Sequence, residues 1–510
     1  MKRALHSFSC IIKRQAKNVE RNVSYTKWRL RYALVQKALK KQPEHPKHLT
    51  KLAIILPKLK DKQELLRATE RYAVNGFRHS NSQAAEAHCR LVRARADLLW
   101  NNGTYEQALA LINSALKWNR SDHSLLHQSL YWQLCIAKTE NRCDIIEEQL
   151  LQIYIDVEKQ QLLYNFKKAH LAAEAMTRLG LTDKARAILS KFEENPMALL
   201  ALSNTAIDDD RLWLEYVNRF FSSQQLETLH LDQGERERFF RLEGTPADPC
   251  TGGPIISVIM TAFNVESYIE TAIRSALAQT WQNFELLIVD DCSTDGTRRI
   301  VKELMQQDSR IKLIENSKNC GTYINRNKAY DLATGEYVTC HDSDDWAHPR
   351  KLEYQVAALL KNPEAISSSS HWVRVNENGH FLFHQPGTFA QYNANSLMFR
   401  IDRVKPVLGY WDSVRVSADS EFIKRLQVIF GKKWTIMLDE VLMLGLKRSE
   451  SLTSASGTGH RANGISPLRK QYHDSYTEWH KTIDRNSAYI DYPMIRRPFE
   501  APEEITAHSR

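Results

Sequence analysis

No stretch of this 510-residue sequence runs to about 18 uninterrupted apolar residues, which excludes an ordinary transmembrane helix. Its eight cysteines are scattered and never form CxxC, so they read as reduced thiols of a cytoplasmic protein, not as a disulfide frame or a zinc site. The start, MKRALHSFSCIIKRQ, has only a short, broken apolar stretch, and a secretory signal is not expected. There is no GxxxxGK[ST] loop, and no GxGxxG follows the first strand-like run, so a bound phosphate would need another partner. Acidic residues are scarce at one end only. Residues 1–60 hold sixteen Lys and Arg against two Glu, a balance of +14, and the other 450 residues sum to −4. Phe8, Tyr25, Trp28 and Tyr32 lie among those charges. Three readings stand open: peripheral contact with an anionic membrane surface, nucleic-acid binding, or a solvated basic helix face. No base-reading motif accompanies the charge, so nucleic acid is not the expected partner.

What is present is an ordinary globular composition, 43% hydrophobic and 25% charged, with length for roughly two to four domains. The boundaries expected are a basic helical segment over 1–75, a helical domain over 76–243, a Gly/Pro-rich linker over 244–254, an α/β domain over 255–460 and a helical tail over 461–510. In the helical part, NNGTYEQALALINSALKWN resembles a tetratricopeptide repeat. Gly103 supplies the turn, Tyr105 packs over it, and Ala108 and Ala115 sit where helices approach closely. RLGLTDKARAILSKF, with Gly180 and Ala185, resembles a further unit, and Asn141 marks a turn between the two. A plain helical bundle is the alternative over these residues, roughly 80–205. A partner protein could bind such an array.

After the linker the pattern changes. IISVIMTAF, FELLIVDD, IKLIEN and GEYVTCHD read as buried strands, and helical spacing fills the gaps between them. Four alternations argue for a mostly parallel α/β sheet with flanking helices. Ligands of such sheets bind beyond the carboxyl ends of the strands, where TAFN, DDCSTDGT and DSDD all fall. An isolated DSDD reads as a solvated acidic turn. Three clusters converging on one edge read as a site. A hard divalent cation would neutralise the crowded aspartates and take its other ligands from a diphosphate and water.

SVIMTAFNVESYIETAIRSALAQTWQNFELLIVDDCSTDGT, followed by NCGTYINRNKAYDLATGEYVTCHDSDDWAHPRKLE, resembles the family 2 glycosyltransferases over about residues 255–455. The resemblance implies a GT-A fold and a nucleotide-diphospho-sugar donor, with a UDP-sugar expected, and Mn²⁺ or Mg²⁺. It implies that Phe263 stacks on the base, with Thr261 near base and ribose and Asn264 on the same loop. Asp291 would hydrogen-bond the base, and Asp290 would orient the loop. Arg326 matches a donor-site arginine supported by Asn327. Asp342-Ser343-Asp344 matches the acidic metal motif, with Asp344 the direct ligand and Asp342 on ribose or metal. Asp345 is expected to cap the following helix.

The general base matches Asp419 in ADSEF, with Glu421 as the fallback. The family often carries Glu-Asp there, and this chain has Ala418 instead. Arg448 and Ser451 match a late segment that approaches the diphosphate. His341, Tyr410, Trp411 and Trp372 are further candidates for the site, the aromatic three as a sugar platform. The implied activity is metal-dependent, inverting, non-processive transfer to a glycan or lipid-linked acceptor in cell-surface polysaccharide or lipopolysaccharide synthesis. The QxxRW motif of processive members is absent. Two rivals are an interaction protein carrying an inactive transferase-like domain, and a nucleotidyltransferase. The second usually has a Gly-rich phosphate loop after the first strand, which TAFN is not.

Overall fold

A computed structural model describes residues 28–41, 46–55, 66, 70, 82–140, 142–448, 457–462 and 464–506. It contains two compact units, Met1–Gln160 with Arg461–Asn463, and Gln161–His460 with Gly464–Arg510. Among the described residues no helix is long and apolar enough to cross a membrane.

The described part of the first unit is helical: α1 over residues 28–41, then α2 (Pro46–Ile55), α3 (Ser82–Asn101), α4 (Tyr105–Leu116), α5 (His123–Glu140) and α6 (Glu148–Glu158). Val35, Leu39, Leu49 and Leu52 from α1 and α2 are buried together with Leu91 and Leu98 of α3. Gly103 sits at φ +83 between α3 and α4, a left-handed turn that a side chain would strain. Ala108 and Ala115 are buried on α4. Trp100 of α3 stacks on Trp132 of α5, with centroids 4.5 Å apart. The expected second turn, Asn141, lies outside the described residues. The third, Gly180 at φ +77, joins α7 (Phe166–Arg178) to α8 (Thr182–Leu189) and belongs to the second unit. The hairpins expected to form one array are therefore divided between the units.

In the second unit, α9 (Pro196–Asn204) and α10 (Asp210–Ser222) follow α7 and α8, then a ribbon of β1 (Leu229–Leu231) and β2 (Leu242–Gly244). The main sheet holds β3 (Ile256–Ala262), β4 (Phe284–Asp290), β5 (Ile311–Glu315), β6 (Tyr337–Cys340), β7 (Trp346–Ala347), β8 (Ser367–Val375), β9 (Phe381–Leu382), β10 (Gln391–Tyr392), β11 (Met398–Arg400) and β12 (Thr435–Leu446). The strand path is β5-β4-β3-β6-β11-β8-β12-β7, with β9 and β10 paired to β8. The four strands expected from sequence pair in parallel. Beyond them the sheet is mixed, because β11 runs antiparallel to both β6 and β8, and β12 runs parallel to β8.

Alternate residues of β3 enter different cores. Val258 and Met260 pack with Ile273 and Val301, from α11 (Ile269–Leu277) and α12 (Thr297–Gln307). Ile259 packs on the other face with Tyr330 and Phe422, from α13 (Thr322–Leu332) and α16 (Ala418–Phe430). A strand covered on both faces has no polar side, which explains its continuous apolar run.

The Gly/Pro-rich stretch expected as a boundary lies within this unit. At Gly253, φ is +90 and a Cβ would stand 2.5 Å from the Trp281 ring, so the glycine is needed for close packing. The helices before it are pinned to the sheet. Asn204 exchanges two amide hydrogen bonds with the Phe381 backbone, at 2.7 and 2.8 Å. The buried Trp213 donates to Gly379 O at 2.9 Å and stacks on Phe381.

Candidate active site

The loops after β3 and β4 are fastened to each other. Asn264 takes a left-handed conformation at φ +49, which asparagine tolerates better than most residues. Its N–H donates to Ser293 Oγ at 3.1 Å, and its Oδ1 accepts from Thr294 N at 2.8 Å. Val265 N donates to Thr297 Oγ1, and Gly296 N to Glu266 Oε2. Thr261 is half-buried near the end of β3, and the Phe263 ring is 47% exposed beyond the sheet edge. Asp290 is buried. It accepts from Ser293 N and pairs with Arg298 at 3.3 Å, which holds the loop.

Asp291 is buried and fixes the next loop. Its Oδ1 accepts from Cys320 N at 2.7 Å and Asn316 Nδ2 at 2.9 Å, and its Oδ2 from Gly321 N at 2.8 Å. Those residues lead into α13, which carries Arg326. This guanidinium is 4% exposed and donates to Asp342 Oδ1 at 3.0 Å and to Asn395 Oδ1 at 3.1 Å. Asn395 Nδ2 donates to the other Asp342 oxygen. Both oxygens of Asp342 are thus held, one by Arg326 and one by Asn395. Nothing in the run QYNANS singled out Asn395, and sequence reasoning missed it.

Asp342, Asp344 and Asp345 each offer an oxygen within 4.8 Å of the others. Burial pushes the Asp342 carboxyl up, Arg326 opposes that, and the charges of Asp344 and Asp419 push it further up. Burial and the charges of Asp344 and Asp342 push Asp345 well up. Asp345 Oδ1 accepts from Leu446 N at 3.0 Å, and its Oδ2 is buried without a hydrogen-bond partner. Three hard oxygen donors gathered this closely suit a divalent cation such as Mg²⁺ or Mn²⁺. Asp344 reaches Arg448, with Oδ2 at 2.7 Å from Nε. Arg448 lies over the Tyr268 ring, whose hydroxyl donates to Glu377 at 3.1 Å. Ser451 lies outside the described residues.

Asp419 stands in the first turn of α16, half-buried. Its charge raises the proton affinity of Asp342, Tyr323 and Tyr392, which places it among the site's acids and aromatics. The turn before it is left-handed at Ser417, φ +68, and Arg469 clamps the Ser417 hydroxyl at 2.8 Å. Ala418 is fully buried, so an acid there would need its own buried partner.

Several expectations are corrected. Glu421 is fully buried, paired with Arg425 at 2.9 Å and His480 at 2.9 Å, and is a structural ion rather than a spare base. Asn327 does not support Arg326; its amide exchanges hydrogen bonds with the Trp411 backbone at 2.9 and 3.0 Å. Tyr410 and Trp411 belong to the core, where Trp411 stacks on Phe422 at 4.7 Å, and they cannot form a sugar platform. Trp372 packs over Gly445, with its exposed side under Arg374. Asp345 caps no helix, since α14 (Lys351–Lys361) begins after Arg350. His341 is buried beneath the acidic turn, its ring against the backbone of Asp345 and Ala272.

Residues 257–409 match the family model described as Glycosyl transferase family 2. TuaG of Bacillus subtilis, named for teichuronic acid biosynthesis, is 40% identical over 118 residues, 23% of this chain and 47% of that protein. The Escherichia coli protein WfgD, a UDP-Glc:alpha-D-GlcNAc-diphosphoundecaprenol beta-1,3-glucosyltransferase, is 38% identical over 138 residues, 26% of this chain and 53% of that protein. The chain spans about half the length of these two curated relatives. Among solved structures, TarS of S. aureus in complex with UDP-GlcNAc aligns at 24% identity over 38% of this chain and 59% of that one, with a TM-score of 0.32. The strand ends that gather Asp291, Asp342 and Asp344 thus fall within the residues, 257–409, that are similar to the Glycosyl transferase family 2 model.

Proposed function

We propose that this chain transfers one sugar, or a few, from a nucleotide-diphosphate sugar to a glycan or lipid-linked acceptor in cell-surface polysaccharide synthesis, with inversion at the anomeric carbon. A UDP-sugar is the donor expected. The observation that carries the reading is the placement of Asp419 within the electrostatic reach of the Arg326-held Asp342. One carboxylate outside the metal motif lies within that reach, as a base facing a donor requires.

Asp344 and Asp342 would hold a divalent cation, and bound there it supplies Lewis acidity toward the departing diphosphate. Phe263 offers an exposed ring for the base. Asp291 Oδ2 accepts one hydrogen bond from the protein, which leaves a lone pair for a base N–H such as that of uracil. Thr261 and the fastened Asn264 loop complete the base side. Arg448 sits on Asp344 and can turn to a phosphate when the cation takes that carboxylate. Asp419 takes the proton from the acceptor hydroxyl as its oxygen attacks.

A panel of UDP-, GDP- and TDP-sugars with Mn²⁺ or Mg²⁺ tests the reading by thermal shift, with product stereochemistry read by NMR on the hit. A raised midpoint for one donor and an inverted product are expected. No donor that shifts the midpoint in either metal, or a retained configuration, overturns it.

A further inference from the structure

The helices α1 and α2 each bury one face and expose another of the same mixed character. On α1, Val35 and Leu39 are buried, with Trp28 and Tyr32 packed against the same core. At 100° per residue the opposite side carries Leu30, Leu34, Lys37 and Lys41. Leu30 is 66% and Leu34 62% exposed. On α2, Leu49, Leu52 and Ile55 are buried, and Ile54 is 56% exposed on the side that holds the exposed Lys47 and Lys51. Seven basic residues occur in these two helices, Arg29, Arg31, Lys37, Lys40, Lys41, Lys47 and Lys51, and no acid.

Charge alone keeps a face soluble, and a single exposed leucine needs no explanation. Two leucines one turn apart, ringed by lysines on a face the core does not use, form an amphipathic surface with a second apolar side. Such a surface fits the boundary of a bilayer. Leucine inserts among acyl chains, while lysine stems lie along the interface and their ammonium groups reach the phosphates. The absence of any acid on either helix selects an anionic surface.

We propose that α1 and α2 dock this chain on an anionic lipid bilayer, with Leu30, Leu34 and Ile54 entering the interface and Lys37, Lys41, Lys47 and Lys51 meeting the headgroups. The proposal stands apart from the transferase reading, because vesicle binding needs neither donor nor turnover. An Asp344→Asn chain should bind vesicles like the intact one.

The test is co-sedimentation of the intact chain with vesicles of phosphatidylcholine alone and of phosphatidylcholine mixed with phosphatidylglycerol. Binding is expected to the second and to fade in high salt, where the screening length falls to about 3 Å at 1 M. Leu30→Ser/Leu34→Ser should weaken binding about tenfold or more, and Lys37→Glu/Lys41→Glu by at least about fivefold per residue. Neither pair should move the melting midpoint without vesicles. The proposal is overturned if the intact chain ignores both vesicles, which leaves the face to a partner protein. Equal binding of all variants, or equal binding to neutral vesicles, also overturns it. So does a lowered midpoint in the leucine variant alone, which would mean that the chain's own residues cover that face.

Discussion

A carboxylate in a crowded, buried turn keeps its charge only if something positive or hydrogen-bonding reaches it, and at this site each aspartate has a different support. Asp342 has Arg326 and Asn395, Asp344 has Arg448, and Asp345 has a backbone N–H with one oxygen left over. Asp344→Asn should abolish the extra protection that Mn²⁺ adds to a bound nucleotide, read as a lost metal-dependent thermal shift, and transfer should fall with it. Normal transfer by that variant would make the acidic turn a solvated one. Asp419→Asn should cut kcat by about 10²-fold or more with the donor-induced shift intact. Equal loss of donor binding would make Asp419 structural. Asn395→Ala removes one of two supports from Asp342. The donor KM should rise about tenfold, the scale of one hydrogen bond to a charged group, with kcat changed far less. An unmoved KM would show that the contact is idle in the donor complex.

At the scale of elements, what buries a helix decides which of its acids can react. Glu421 lies two residues from Asp419, and on sequence alone either could serve as base. The structure gives Glu421 to Arg425 and His480 in the core, so removing its charge strands a cation. Glu421→Gln should cost about 3–5 kcal/mol in denaturant unfolding, the scale of a broken buried pair. A variant of native stability with dead turnover would reverse that assignment. Lys351 at the start of α14 is 1% exposed, with Thr339 Oγ1 at 3.4 Å, and burial lowers its amine to about 8. Its folded pKa lies below its unfolded one, so the unfolded chain binds more protons between about pH 8 and 10.5. Stability from this group therefore rises with pH across that window. Lys351→Met should raise the melting midpoint at pH 7, with the gain shrinking as the pH rises from about 8 to 10.5. A gain that stays constant with pH would locate the effect in packing instead.

The same scale explains what could be read in advance. The strands β3 to β6 announce themselves because apolar residues fill both faces. β8 does not, because it begins SSSS. Ser367 to Ser370 are all fully buried, and the hydroxyls of Ser367, Ser368 and Ser369 find Thr435, the Gln355 carbonyl and Ser396 in turn, while the Ser370 Oγ has no hydrogen-bond partner. A strand stabilised by such partners carries no apolar signature. Asn395 lies in the loop that this network holds, so the antiparallel half of the sheet and the second support of Asp342 were hidden together. Strand-end acids, by contrast, were legible because charge at the end of an apolar run has few other uses.

For the whole molecule, composition suggested a break at the Gly/Pro-rich stretch before the sheet, yet the compact units divide at Gln160. Glycine there serves contact with Trp281 and not looseness, and local composition cannot distinguish the two. The basic excess of the first 60 residues was visible as a sum, but which apolar residues it surrounds depended on which face of α1 the core takes. Each unit has a buried cluster of its own, Leu39, Leu52 and Leu91 in one and the two faces of the sheet in the other. Calorimetry of the intact chain should then show two transitions. A ligand that binds only the folded site stabilises by about 2.7 kcal/mol at a hundred times its Kd. UDP with Mn²⁺ should therefore raise one transition by about 4 °C, at roughly 1.4 °C per kcal/mol for a unit of about 350 residues. The other transition should stay in place, and Asp344→Asn should remove the metal-dependent part of the shift. A single transition that moves as a whole on adding UDP and Mn²⁺ would show that the two units unfold together, and the division at Gln160 would then have no thermodynamic meaning.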